Sequence, residues 1–206
     1  FALEPAVLER YRDNGVRTII SNAAPLPQAT KERIVAYFGD TVLHETYGST
    51  EGAIVTNLRP EDQLRKIECV GLPFIATRIS IRRDDGTEVA PGEVGELFSV
   101  SPYLFNGYWD RPEETEKTIV EGWVTAGDMA TRDEEGFIYL VDRKTDMIIS
   151  GGINLYPREI EEALFHHPGV AEAAVVGTPD DRWGEAVKAF VVARPGEAID
   201  TVELSE

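Results

Sequence analysis

Six residues, Tyr47-Gly48-Ser49-Thr50-Glu51-Gly52, set two glycines, two hydroxyls and a carboxylate directly behind an apolar run. Glycines at both ends let a backbone turn sharply and come close to a ligand. The hydroxyls of Ser49 and Thr50 can donate to phosphate oxygens. Glu51 is a hard oxygen ligand suited to Mg2+, which takes one or two carboxylates beside phosphate. The carboxyl end of a buried strand is also where open parallel sheets bind ligands. The same residues equally suit a plain polar loop, with Thr50 and Glu51 capping whatever follows.

Two more positions offer matching chemistry. Asp128 stands behind Gly127 at the end of the strand-like run Trp123-Val124-Thr125-Ala126. A carboxylate so placed can accept both hydroxyls of a ribose, or bond its own backbone as a turn aspartate. Arg143 follows Asp142 and another apolar run; its fork suits a phosphate or ribose, or a surface ion pair worth little. The three signals together point to a nucleotide. His44, His166 and His167 are too scattered for a metal site.

The elements that must position these residues fall into three zones. From Val16 to about Asn57 the pattern is strand, helix, strand, loop: an α/β pattern with parallel strands. The first strand, continuous and β-branched, reads as buried on both faces, and the helix sets Ile34, Val35 and Phe38 on one face. From about Lys66 to Val141, short alternating segments (TRISIRR, GELFSV, GWVTAGDMAT, GFIYLVD) read as strands of a small antiparallel barrel or sheet. Asp84-Asp85-Gly86 and Asp133-Glu134-Glu135-Gly136 are its hairpin turns, and PEETEKTI is an inserted helix. After Asp142 the order is strand (MIIS), glycine pair, helix (PREIEEALFHH) and two strands (AEAAVVGTP, EAVKAFVVA), an α+β module.

Composition bounds the reading. The 206 residues are 42% hydrophobic and 28% charged, ordinary values for a globular chain. A net charge of −17 argues against nucleic-acid or anionic-membrane partners, which need clustered Lys and Arg. ATP stays possible through backbone amides, one arginine and a metal ion. The lone cysteine, Cys69, excludes an intramolecular disulfide and suits a reducing cytoplasm. No apolar run has the length of a membrane span, and Phe1-Ala2-Leu3-Glu4 does not read as a signal peptide. LEPAVLERYRDNG at the start and Thr201–Glu206 at the end both read as helix, as though cut from something longer.

YGSTEG, then GELFSVSPYLFNGYWDRPEET, then GWVTAGDMATRDEEGFIYLVDRKTDMIISGGINLYPREIEEAL, in that order, resemble the adenylate-forming superfamily, and within it the AMP-forming acyl-CoA synthetases. The resemblance runs from Ser21 to Val187. It implies an ATP-dependent carboxylic acid–CoA ligase using Mg2+, with a fatty or aromatic acid, ATP and CoA as small-molecule partners. Residues 1–65 would end the α/β AMP-binding large domain and 66–142 form its β-barrel subdomain. Residues 143–146, with Thr145, would be the hinge, and 147–206 an incomplete, mobile C-terminal α+β domain. By the same resemblance Tyr47 would stack on adenine, and Ala24, Gly48 and Ser49 would line the nucleotide. Thr50 would hold the α-phosphate, Glu51 the Mg2+, Asp128 the ribose hydroxyls, and Arg143 ribose or phosphate. Gly151, Gly152 and Trp183 would border the CoA arm, Trp183 being equally a packing residue of the small domain.

Departures from the family pattern carry their own expectations. Thr145 stands where many relatives have lysine or aspartate, so the hinge would flex without that ion pair. Asn22 and Ala23 replace glycines of a Ser-Gly-Gly-Ala-Pro-Leu block, which would narrow the acyl pocket and favour shorter or flatter acids. The family's TSGTTG phosphate loop and its late lysine have no match here; Lys188 sits mid-strand. The chain by itself is therefore expected to be inactive. A carrier-protein-loading domain and a catalytically dead AMP- or acyl-binding relative are the alternatives.

Overall fold

Runs in which β-branched or aromatic residues alternate with polar ones become strands almost everywhere. The computed structural model describes residues 3–200 and 204, and the chain divides into two units. One runs to Ala126 and adds Ala130–Leu140; the other joins Gly127–Met129 to the chain from Val141 onward. The helix expected over 201–206 falls outside the described residues except for Leu204.

In chain order the first part holds α1 (Pro5–Arg10), β1 (Ile19–Ser21), α2 (Gln28–Phe38), β2 (Leu43–Ser49), β3 (Ala53–Leu58) and a 3-10 turn at Pro60–Asp62. It continues with β4 (Cys69–Pro73), β5 (Arg78–Arg82), β6 (Gly95–Val100), α3 (Pro112–Thr118), β7 (Ile119–Val120), β8 (Trp123–Arg132) and β9 (Ile138–Arg143). The strands lie in one sheet, ordered β1-β2-β3-β4-β9-β8-β6-β5, with β7 beside β8. β1 and β2 are parallel, Ile19 opposite Leu43, while β2–β3, β3–β4, β4–β9 and β5–β6 are antiparallel.

Two expectations change here. The middle strands form no closed barrel among the described residues; they extend the first sheet through β4 along an open path. β1 is not buried on both faces, since Ile20 is 64% exposed. It stands at the end of the strand order, so its sheet neighbour covers only one flank. β3 and β4 were not foreseen. The alternating burial of β2, with Leu43 and Glu45 inside, needs a partner, and β3 supplies it with Val55 and Leu58.

The core gathers Val55, Ile81, Val89, Leu97, Ala130 and Ile138, with a second cluster of Leu58, Cys69 and Phe137. Beside it lies a polar clamp. Lys66 Nζ donates to Asp133 (2.6 Å) and Glu135 (2.7 Å), and Arg65 bonds Asp62 and Glu135. The Asp133 carboxylate also receives the Phe137 amide (2.9 Å) and the Tyr139 hydroxyl (3.2 Å), so the expected turn at Asp133–Gly136 is tied to the 62–66 segment. α2 is joined to β2 by a buried ion pair, Lys31 to Glu45 at 2.7 Å, with side chains 3% and 9% exposed.

The second unit holds β10 (Ile148–Ser150), β11 (Ile153–Leu155), α4 (Pro157–Phe165), β12 (Val170–Asp180) and β13 (Gly184–Ala193). Its sheet is antiparallel, ordered β11-β10-β13-β12. α4 starts on Pro157, whose fixed φ suits a first helical position. Its apolar face, Ile160 and Leu164, packs on Ile148, Val175 and Val191.

The buried pair and the buried thiol give two expectations. Lys31→Ala leaves Glu45 charged and uncompensated, and should cost about 3–5 kcal/mol, whereas Lys31→Met with Glu45→Leu should recover most of it. Urea titration of the two variants beside the wild type checks this, and an equal loss in the single and double variants would contradict it. Burial pushes the Cys69 thiol from 9.0 up to about 11 and the Tyr139 phenol from 10.0 up to about 12. Both folded values lie above the unfolded ones, so this stability is complete below the unfolded values and lost as pH rises through the folded ones. The thermal midpoint should fall above about pH 9, and Cys69→Ala should delay the onset toward about pH 10, where Tyr139 takes over. An unmoved onset would exclude the thiol as its source.

Candidate functional site

YGSTEG is the tip of a hairpin rather than a free loop. β2 runs through Ser49, Thr50-Glu51-Gly52 make the turn, and β3 leaves at Ala53. The register shifts between Tyr47 and Gly48, and a Cβ on Gly48 would stand 1.9 Å from the Ala53 carbonyl oxygen. Gly48 is thus required by the opposite strand. Ala53 takes up the turn at φ 55°, and the Gly52 amide donates to Ser49 Oγ at 3.0 Å. Ser49 therefore serves the turn. Tyr47 packs one side against the Val55–Ile81 core, and Thr50 is exposed. His44 Nδ1 lies 3.2 Å from the Asn57 side-chain amide nitrogen.

Glu51 is held from a second segment. Its carbonyl accepts the Phe105 amide at 3.0 Å, and its carboxylate accepts the Tyr108 hydroxyl at 2.5 Å. The charged partner favours the neutral phenol and raises the Tyr108 pKa. Sequence reasoning passed over Tyr108. The signal was present in Gly107-Tyr108-Trp109, an aromatic pair wedged between a glycine and a proline-led helix.

In the second unit Asp128 and Arg143 come together. Arg143 Nε lies 3.6 Å from Asp128 Oδ1, with side chains 68% and 15% exposed. That is an ion pair too long to be a good hydrogen bond, one that an incoming ligand can exchange at small cost. Residues 143–146 form a turn closed by the Asp146 amide on the Arg143 carbonyl (3.1 Å), with Thr145 exposed and donating to Asp146. Asp142 receives the Arg143 amide on one oxygen and the Arg158 amide on the other, and so caps α4. A cavity of about 440 Å³ opens here, lined by Asp142, Thr145, Arg158, Glu161 and Glu185 among others.

Gly151 and Gly152 make the two-residue turn between β10 and β11, at φ 58° and 82°. Two positive φ values are what such hairpin turns demand. A Cβ on Gly151 would also meet the Trp183 ring at 2.9 Å, while Gly152 faces open space. Trp183 is half exposed, its carbonyl accepts the Gly151 amide (2.8 Å), and Arg182 lies over its ring. Asn22, Ala23 and Ala24 form an exposed bend after β1. Ala23 sits at φ 70°, a conformation natural to glycine.

Comparison with known proteins gives the chain's family. The profile of the AMP-binding enzyme family matches residues 3–109, and that of the AMP-binding enzyme C-terminal domain matches 159–206. A long-chain-fatty-acid–CoA ligase of Bacillus subtilis is 40% identical over 198 residues, covering 96% of this chain and 35% of that protein. A feruloyl-CoA synthase of an Amycolatopsis species is 41% identical over 192 residues, 93% of this chain and 39% of that one. Among solved structures, an amide bond synthetase from Marinactinospora thermotolerans superposes with TM-score 0.83 at 37% identity, over 98% of this chain and 41% of that one. The o-succinylbenzoate CoA synthetase of Bacillus subtilis, solved with ATP and magnesium ion, gives 0.79 at 32% identity, over 98% and 42%. The chain spans about a third of the length of the curated relatives it matches.

The hairpin makes a direct prediction. Gly48→Ala cannot be accommodated without opening β2 from β3, and should lower stability by about 2 kcal/mol or more, beyond the ordinary range for a surface change. Gly152→Ala, strained only in φ, should cost about 1–2 kcal/mol. Chemical denaturation ranks the two, and the reverse order would mean that the hairpin contact is not limiting.

Proposed function

Because the chain belongs to the family of AMP-binding enzymes, we propose that it is the nucleotide-gripping part of an ATP-dependent carboxylic acid–CoA ligase. The observation that carries this is the hairpin tip, which presents a hydroxyl at Thr50 and a braced carboxylate at Glu51 beside each other. In this reading Tyr47 stacks on adenine, with Ala24, Gly48 and Ser49 along the nucleotide. Thr50 donates to the α-phosphate, Asp128 accepts the ribose hydroxyls, and Arg143 reaches ribose or phosphate.

The chemistry has two halves. The acid's carboxylate oxygen attacks the α-phosphorus, the bond to the bridging oxygen breaks, and acyl-AMP and pyrophosphate form. The CoA thiolate then attacks the acyl carbon, and AMP leaves. A carboxylate is a weak nucleophile, so the first half depends on in-line placement and on neutralising phosphate charge. Hard oxygens from Glu51 and the phosphates fit Mg2+, which when bound supplies that neutralisation. Thr50 steadies the α-phosphate through its hydroxyl, and Asp128 with Arg143 fixes the sugar end.

Residues 143–146 suit a hinge between the two halves of the reaction, since an exposed turn can absorb a change of φ and ψ. The 147–206 segment would be the mobile domain, and 1–65 with 66–142 the large one. Gly151, Gly152 and Trp183 would border the CoA arm. Asn22 and Ala23 would line the acyl pocket and favour shorter or flatter acids. The 206-residue chain alone would not adenylate.

A substrate screen on the intact ligase, scoring AMP release with and without CoA, tests the reading. Glu51→Gln should lower AMP release on the order of 100-fold. Asp128→Asn should chiefly raise the KM for ATP, as loss of a contact made before and during reaction does. AMP release that a holo-carrier protein supports and CoA does not would move the assignment to a carrier-loading domain. Wild-type rates in Glu51→Gln would remove its role.

A further inference from the structure

We infer that Tyr108 is a positioning residue for Glu51, fixing the carboxylate through its hydroxyl in the orientation that takes the metal. The inference rests on the reading of Glu51 as the metal-holding carboxylate. The hydroxyl reaches Glu51 Oε1 at 2.5 Å, the length expected of a phenol donating to an ionised carboxylate. A glutamate at a hairpin tip otherwise turns about three side-chain torsions, and each free torsion spreads the carboxylate over several positions. One oxygen pinned to a fixed phenol removes most of that freedom.

The phenol is itself fixed. Its backbone amide donates to Thr115 Oγ1 at 2.9 Å, and Thr115 in turn bonds the Arg111 carbonyl at 2.8 Å, so α3 holds the loop. Gly107 lies at φ 125°, and a Cβ there would meet Thr115 Cγ2 at 2.8 Å, so the loop lies directly on the helix. The Phe105 ring meets the Tyr108 ring edge-on, centroids 5.0 Å apart at 71°, while the Phe105 amide holds the Glu51 carbonyl. One short segment thus grips Glu51 by both backbone and side chain. Trp109, 96% exposed beside it, takes no part. Hydrogen-bonded carboxylates are the rule among metal ligands, and their outer partners set the affinity.

Mn2+ is the probe, its binding to the intact ligase with a non-hydrolysable ATP analogue read from the free-ion EPR signal. Tyr108→Phe keeps the ring contact with Phe105 and removes only the hydroxyl. It should weaken Mn2+ binding about 10- to 100-fold while AMP, which needs no metal, binds within about twofold of wild type. A parallel loss of AMP affinity would mean that the hydroxyl only shapes the loop, and would overturn the inference. Unchanged Mn2+ binding in Tyr108→Phe, together with lost binding in Glu51→Gln, would also overturn it while leaving Glu51 as ligand. Unchanged binding in both variants would remove the reading of Glu51 itself. Should Tyr108→Phe fail to fold, Thr115→Val frees the Tyr108 amide without touching the phenol. It should weaken Mn2+ binding several-fold; wild-type affinity there would count against the inference.

Discussion

The close approach of two backbones at Gly48 and Ala53 is the constraint on which the candidate site depends. With 1.9 Å between the position of a side-chain carbon and the facing carbonyl oxygen, the strands meet closer than any other residue permits. That contact goes with the register shift at Tyr47, the left-handed Ala53 and the three-residue tip. A tip so short puts Thr50 and Glu51 at the very end of β2, a strand anchored inward by Leu43 and Glu45. Sites built on strands hold their geometry better than sites on loops, because the rotamers behind them are locked.

An acidic chain needs local cations where carboxylates are to stay charged, and here they are placed for architecture as much as for ligands. Lys31 neutralises Glu45 under β2, two residues before Tyr47 on the same side of the strand. Lys66 and Arg65 serve Asp62, Asp133 and Glu135, tying the chain before β4 to the β8–β9 turn. A buried pair contributes less to stability than its contact suggests, because desolvation offsets most of the attraction. Its effect is on uniqueness: a slipped register for β2 would leave Glu45 without Lys31.

Most of the element order was legible from residue patterns. Alternation marked β5, β6, β8, β9, β12 and β13, and the proline-led runs marked α3 and α4. What escaped were strand pairings both near and far: β3 beside β2 across a three-residue turn, and β4 beside β3 and β9. β3 begins at Ala53, directly behind the YGSTEG motif, and its identity as a strand comes from facing β2. Of the barrel and the sheet that the middle strands allowed, the described residues trace an open sheet, because short alternating strands say which face is apolar and not which edge is joined. The exposed Ile20 shows the same limit, since a β-branched run looks alike at the middle and at the end of a sheet. The site residues within YGSTEG were visible as chemistry, whereas Tyr108 was not. Its role arises from a 57-residue separation that no local pattern encodes.

Glycine in a motif is weak testimony about ligands, and this chain shows why. Gly48 is demanded by a facing carbonyl, and Gly151 and Gly152 by the sense of a two-residue turn with Trp183 laid against the first. Each would be glycine whether or not a nucleotide or a thiol ever passed. Ala23 gives the converse, a position with a glycine's φ occupied by a residue that bears a side chain, at a tolerable strain. The proposed ligand reading rests instead on side chains whose chemistry the turn itself does not require. Thr50 is exposed at a tip that would turn equally well without its hydroxyl. Glu51 places a charged carboxylate beside a phenol, where a neutral glutamine would satisfy the same hydrogen bond with less repulsion in a chain of net charge −17. A tip carboxylate braced by a phenol in this way suits the metal-holding role proposed for it.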